Sequence, residues 1–243
     1  MLNNVEKMTT DYTPNFNLNK RTNKKIKYII LHYTGMKTEK SAINRLTNCF
    51  SNVSCHYFIT NKGKIIQMLP DNYIAWHAGL SSWKKHKLLN QYSIGIEISN
   101  PGHQYGYKNF NRNQIKSVIQ ILKKLLKKYK INKTNILGHS DIAPLRKKDP
   151  GEKFPWKKLA SNKLGIWHNV PKNICKKFRL CKLEKSNFIK ELKTLGYNTN
   201  YKNKNELKKI VKSFQRRYRP ELVNGFFDYE CLQILKSLKS NKY

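Results

Sequence analysis

Acidic residues are scarce in this chain. Fourteen Asp and Glu stand against 49 Lys and Arg over 243 residues, leaving a formal net charge of +35. A field of that sign attracts polyanions such as nucleic acid, anionic lipid or an acidic cell-wall polymer. The same chain is rich in Asn, Ile and Tyr beside its Lys, as AT-rich coding would produce, so compositional drift is an equal reading of the charge. No Arg-rich recognition helix and no RNP-type aromatic pair accompanies it, and nucleic acid is not an expected partner.

Long apolar runs are missing as well. Without an uninterrupted span of about 18 apolar residues, no transmembrane helix is expected. The opening "MLNNVEKMTTDYTPNFNLNKRTNKK" has no apolar core and no small-residue cleavage site, so it reads as a polar arm and not as a signal peptide. Cysteines are few and odd in number (Cys49, Cys55, Cys175, Cys181 and Cys231), with no CxxC spacing. That excludes a disulfide framework or a zinc ribbon and leaves buried reduced thiols. These absences favour the cytoplasm, with a non-standard export route as the alternative. Apolar residues at 39% suffice for a real core.

Hydropathy patterning gives an α/β reading. "KYIILHYT" (27–34) is a buried strand, and Thr38 caps a helix running to Cys49. "CHYFIT" (55–60) and "KIIQML" (64–69) form a hairpin around "NKG", and a long aromatic loop with "IAWHAGLSSW" (74–83) follows. "YSIGIEIS" (92–99) is a strand, and "NILGH" (135–139) is a short one. Between them, Asn111–Lys130 has apolar residues at helical spacing with lysines opposite. The expected architecture is a central mixed β-sheet flanked by helices, with a small all-α three-helix domain at the C-terminus. Its parts are an arm (1–26), an α/β domain (27–160), a linker (161–183) and a helical domain (184–243), the last built from segments 186–198, 205–220 and 228–239.

Two histidines close apolar strands, His32 and His139, and Asp149 follows His139 through a Pro-bearing loop. Functional groups in α/β sheets gather at such strand ends. Two His and a carboxylate, with a fourth position for water, make up a catalytic zinc set. Spacing alone leaves another reading open, since strand-end histidines are commonly just hydrogen-bonded. Glu97, inside an apolar strand, is either paired with a lysine or a general base. Lys147 is either a surface lysine or an oxyanion stabiliser.

Five blocks, "YIILHYTG", "VSCHYFITNKGKIIQML", "AWHAG", "SIGIEISNPG" and "LGHSDIAPLRKKDPGEKFPW", occur in that order over residues 27–156. Together they resemble the zinc-dependent N-acetylmuramoyl-L-alanine amidase type 2 family, the AmpD-like amidases, to which the peptidoglycan recognition proteins are related. The "LHYTG" opening is more similar to broad-specificity envelope amidases than to the cytosolic recycling enzyme. The resemblance implies hydrolysis of the amide between N-acetylmuramic acid, with or without a 1,6-anhydro ring, and L-Ala of the stem peptide. It implies one Zn²⁺ per chain on His32, His139 and Asp149, with Glu97 activating water and Lys147 steadying the oxyanion. Trp76 and His77 match substrate-cleft residues. His56 matches a family histidine that is not a ligand and is read as structural or as a support for a ligand, and Asp141 matches the "HSD" aspartate, read as a loop organiser rather than a ligand. Peptidoglycan or muropeptides are the implied partners of a monomer. His86, His103 and His168 match nothing in the family and are expected at the surface.

The tail resembles a three-helix peptidoglycan-binding module through "LKTLGYN", "IVKSFQRRY" and "NGFFDYECLQIL", with Cys231 where the pattern has Thr. A wall-binding module implies contact with the polymer outside the cell, against the missing signal. The alternatives for the whole chain are a non-catalytic peptidoglycan binder and, for the tail, a helical appendage that only packs.

Overall fold

The computed structural model describes residues 9–10, 12–171 and 185–240. Much of the expected linker, with Cys175 and Cys181, and most of the first eleven residues lie outside the described residues. The strands are β1 (Thr9–Thr10), β2 (Phe16–Asn17), β3 (Tyr28–Tyr33), β4 (Tyr57–Ile59), β5 (Ile65–Gln67), β6 (Ile74–Ala75), β7 (Ser82–Trp83), β8 (His86–Lys87), β9 (Ser93–Ile98) and β10 (Ile136–Gly138). The helices are α1 (Glu39–Thr47), α2 (Arg112–Tyr129), α3 (His139–Ile142), α4 (Trp156–Ser161), α5 (Lys185–Leu195), α6 (Lys204–Tyr218) and α7 (Tyr229–Ser240). They fall into two compact units, one of Met1–His77 with Asn90–Lys130, the other of Ala78–Leu89 with Ile131–Tyr243. The expected mixed sheet with flanking helices and a helical C-terminal region is present. The aromatic loop expected at 74–83 holds the short strands β6 and β7.

In the first unit the strands lie in the order β1-β5-β4-β9-β3. β9 pairs in parallel with both β3 and β4, β4 pairs antiparallel with β5, and β1 joins β5 in parallel. A strand between two neighbours has no solvent edge, which is why Ile94, Ile96 and Ile98 are completely buried. Helix α1 starts where Thr38 and Ser41 form a capping box. Its Ala42 and Leu46 pack with Cys55, Phe58, Ile66 and Met68. Helix α2 starts at a second capping box, Asn111 with Gln114, and packs on β4. At its far end Tyr129 Oη donates to Asp71 Oδ2 (2.5 Å), Lys128 Nζ to the same oxygen (2.8 Å) and Tyr57 Oη to Asp71 Oδ1 (2.7 Å). Burial pushes the Asp71 carboxyl up, but these donors outweigh it and hold it below the usual carboxylate range.

The second unit holds β10, α3 and α4 together with the three C-terminal helices. α5 packs on α7, and α6 packs on α3. Phe188, Leu192, Ile210, Phe214 and Leu238 are completely buried, each aromatic or aliphatic side chain contributing about 1.5–3 kcal/mol of transfer free energy. Arg219, buried here too, donates to Asp228 Oδ2 (2.6 Å) and Glu230 Oε2 (2.9 Å). Of the described cysteines, Cys55 and Cys231 are buried free thiols, as expected, whereas Cys49 is exposed. Among the described residues no helix is long and apolar enough to cross a membrane.

Candidate active site

The parallel register of β3 and β9 sets His32 opposite Glu97. Side chains alternate along a strand, so Tyr28, Ile30 and His32 share one sheet face with their partners Ser93, Gly95 and Glu97. His32 is buried at the C-terminal end of its strand, and Glu97 is half-buried beside it. An imidazole and a carboxylate thus project side by side from one face of the sheet.

His77 lies over this face. Its Nδ1 is 3.1 Å from His32 Nε2 and its Nε2 is 3.2 Å from Ser93 Oγ. The expectation paired His77 with Trp76 in a substrate cleft. Here His77 is buried against His32, while half-buried Trp76 donates its indole N–H to Asn17 Oδ1 (2.7 Å). His56, one strand over, accepts the Gly95 amide at Nδ1 (3.0 Å) and has its Nε2 3.1 Å from the Tyr73 carbonyl. Burial first, then the Arg21 guanidinium, push its pKa down to about 3, so it stays neutral.

The second unit forms the His139–Asp149 pair. β10 ends at Gly138, and the chain turns directly into α3. Asp141 Oδ2 accepts the Gly138 amide (2.8 Å), fixing that turn. The loop then folds back, because Ser140 N–H donates to the Asp149 carbonyl (2.8 Å). A Cβ on residue 138 would sit 2.8 Å from Pro150 Cδ, so only glycine admits the returning loop. The result places His139 Nδ1 3.0 Å from Asp149 Oδ2, with both side chains buried. His139 Nε2 faces the Ala78 carbonyl at 3.2 Å. The carbonyl and the carboxylate both only accept, so each ring nitrogen of His139 faces an acceptor, and Nδ1 and Asp149 Oδ2 lie close enough to share one cation. Two ligands at zinc bond lengths of about 2.0 Å and a tetrahedral angle would lie about 3.3 Å apart, close to this separation.

Asp141 has further partners. Tyr197 Oη donates to its Oδ1 (2.6 Å), and Arg217 Nη1 forms an ion pair with its Oδ2. Arg217 Nη2 also donates to the Ile136 carbonyl (2.9 Å), and its guanidinium stacks 4.2 Å from the Trp156 ring. Ser213 Oγ donates to the Ser140 carbonyl (2.6 Å). Sequence reading placed Asp141 as an organiser but found neither Arg217 nor Tyr197. Lys147 is half-buried, with its amide bonded to the Ala143 carbonyl (3.0 Å), and Lys148 is exposed.

The three unassigned histidines are not at the open surface as expected. All are half-buried; His103 stacks on Tyr107, and His168 stacks on Trp167. Burial lowers the His168 pKa.

His139 and Asp149 in the second unit are a buried imidazole–carboxylate pair, and His32 in the first unit is a buried imidazole; each is a donor type that could hold a metal ion. Nitrogen and oxygen donors of this kind suit zinc.

Comparison with known proteins agrees with the motifs. The family model described as N-acetylmuramoyl-L-alanine amidase matches residues 22–152. The N-acetylmuramoyl-L-alanine amidase AmiD of Escherichia coli (strain K12) is 32% identical over 230 residues, covering 88% of this chain and 82% of AmiD. The solved complex of E. coli AmiD with the substrate anhydro-N-acetylmuramic acid-L-Ala-D-γ-Glu-L-Lys superposes with a TM-score of 0.82 at 30% identity, covering 92% of each chain. AmpDh3 of Pseudomonas aeruginosa in complex with anhydromuramic pentapeptide gives 0.80 at 27% identity, covering 93% of this chain and 96% of that one. With the family match spanning more than half of the sequence and AmiD aligned along most of it, this chain belongs to the N-acetylmuramoyl-L-alanine amidase family.

Proposed function

We propose that the protein hydrolyses the amide between the lactyl group of N-acetylmuramic acid and L-alanine of the stem peptide, acting on peptidoglycan or its muropeptides. The register pairing of His32 with Glu97 carries this reading, because it sets a metal-type donor and a proton acceptor side by side on one sheet face. The buried His139–Asp149 pair and the family membership support it.

His32, His139 and Asp149 hold one zinc ion in this scheme. Zinc held there supplies Lewis acidity toward the scissile carbonyl and toward the attacking water. Glu97 takes the proton of that water on its carboxylate and returns it to the departing L-alanine nitrogen. Lys147 sets its ammonium toward the oxyanion of the tetrahedral intermediate. Trp76 contributes an aromatic wall for substrate. The +35 net charge draws the carboxylates of the stem peptide toward the protein. The C-terminal helices add contact with the polymer.

The test is cleavage of purified anhydro-muropeptides and of intact sacculi, with mass spectrometry of the products. A zinc chelator should abolish release of the peptide, and added Zn²⁺ should restore it. Undiminished cleavage in chelator, or products cut at another bond, would overturn the proposal.

A further inference from the structure

His77 differs from an ordinary buried histidine in what surrounds it. Both ring nitrogens are taken, Nδ1 by His32 Nε2 (3.1 Å) and Nε2 by Ser93 Oγ (3.2 Å). Its amide donates to Asn90 Oδ1 (3.1 Å), and its ring meets His56 edge-on with centroids 5.7 Å apart. The sheet makes room for it. A Cβ on Gly95 would lie 2.4 Å from His77 Cγ, well inside any real contact, so the glycine in "SIGIE" is a socket for this ring. Ser93 and Gly95 lie on the same face of β9 as Glu97, and on the face that carries His32.

We propose that His77 and Ser93 are positioning residues for His32, holding its imidazole so that Nδ1 is the nitrogen offered to the metal. This rests on the reading of His32 as a zinc ligand. Two proton arrangements satisfy the chain of three groups. In one, Ser93 donates to His77 Nε2 and His77 Nδ1–H donates to His32 Nε2, which leaves the His32 proton on Nδ1 and no lone pair for a metal. In the other, His32 Nε2–H donates to His77 Nδ1 and His77 Nε2–H donates to Ser93 Oγ. Only the second frees His32 Nδ1, and it needs a hydrogen-bond acceptor at both steps. Partners that hold a ligand imidazole in one tautomer and one orientation set metal affinity.

The experiment uses the full chain with His77→Ala, His77→Asn and Ser93→Ala. Zinc affinity is measured by competition with a chromogenic chelator, and the tautomer of His32 in the metal-free protein by long-range ¹H–¹⁵N spectra. Expected are an Nε2–H tautomer for His32 and a zinc affinity about 10- to 100-fold weaker in His77→Ala, with a smaller loss in Ser93→Ala. Asparagine keeps an acceptor near the Nδ1 position, so His77→Asn should recover most of the affinity, which filling of space alone would not explain. Should His77→Ala fail to fold, Ser93→Ala and His77→Asn still decide. An Nδ1–H tautomer for His32, or equal zinc affinity in all folded variants, overturns the proposal. Absence of zinc binding by the unaltered protein would instead sink the zinc reading itself, while the tautomer spectrum still judges the positioning chain.

Discussion

Arg217 and Asp141 form an ion pair in which both side chains are almost wholly buried, 2% and 1% exposed. They are 76 residues apart, one on the second of the three C-terminal helices, the other two residues after His139. Burying two charges is costly unless every donor and acceptor finds a partner. Here most do: Asp141 also accepts from Tyr197 and from the Gly138 amide, and Arg217 also donates to Ile136 and stacks on Trp156. Burial, then the Asp141 carboxylate, raise the Tyr197 pKa, so its phenol remains a donor. The turn that presents His139 is therefore held by side chains from the C-terminal helices.

Removing one partner of this pair should cost far more than its net contribution, because the other charge is left buried and alone. Arg217→Met is expected to destabilise the protein by about 3–5 kcal/mol. Tyr197→Phe, which removes one hydrogen bond to a charged acceptor, should cost about 1.5–3 kcal/mol. Urea unfolding followed by circular dichroism measures both. A loss under about 0.5 kcal/mol for Arg217→Met would place the pair among surface-like ion pairs.

Truncation follows the same logic. A chain ending at residue 183 lacks Tyr197, Arg217 and the Ser213 hydroxyl that caps the Ser140 carbonyl. It also exposes the α3 surface that α6 covers. The truncated protein should lose its cooperative thermal transition and, if zinc is held as proposed, its ability to retain stoichiometric zinc. A separable appendage would leave both unchanged and lower only binding to sacculi, so melting curves and metal content together discriminate.

His56 gives a pH signature. Its folded pKa, depressed to about 3 by burial and then by Arg21, lies below the unfolded value of about 6.5. Above pH 6.5 neither state carries the proton, and its contribution to stability is complete. As pH falls from about 6.5 toward 3 only the unfolded chain takes the proton, so stability declines by up to about 1.4 kcal/mol per pH unit. His56→Asn keeps an acceptor for the Gly95 amide but titrates nothing. Its unfolding free energy should fall less steeply than wild type between pH 6.5 and 5; parallel curves would show that His56 is protonated in the fold.

The elements were legible where one pattern repeats. β3 carries a run of Ile and Leu and β9 an Ile at every second position because both strands are buried between neighbours, and α2 reads as a helix because its Ile and Leu recur at helical spacing. His32 and His139 stood out as polar residues ending apolar strands. Arg217 did not, since one arginine among 49 basic residues carries no local mark of being buried. His77 was named as a substrate-cleft residue, but its place against His32 was hidden for a different reason: the two are 45 residues apart, and spacing reports only local geometry. A signal did exist. Gly95 interrupts an otherwise Ile-rich strand, and a strand glycine marks the close approach of another group.

Glu97 and Lys147 can be separated from the proposed metal donors by what each leaves behind. Glu97 sits beside His32 on the neighbouring strand, and in the proposed scheme it carries a proton rather than the ion. Glu97→Gln keeps the shape and a hydrogen-bonding group but cannot accept that proton. Its kcat should fall by about 10²- to 10⁴-fold, the usual worth of a general base, while zinc content stays at one per chain. Lys147→Met removes a charge that matters only once the oxyanion forms, so kcat should drop with little change in KM. Replacing His139 or Asp149 by Ala should instead remove the metal along with the activity. Metal analysis of the same preparations used for kinetics makes the comparison direct. If Glu97→Gln loses zinc together with activity, Glu97 is a ligand or a prop of one, and the proton-carrying role falls.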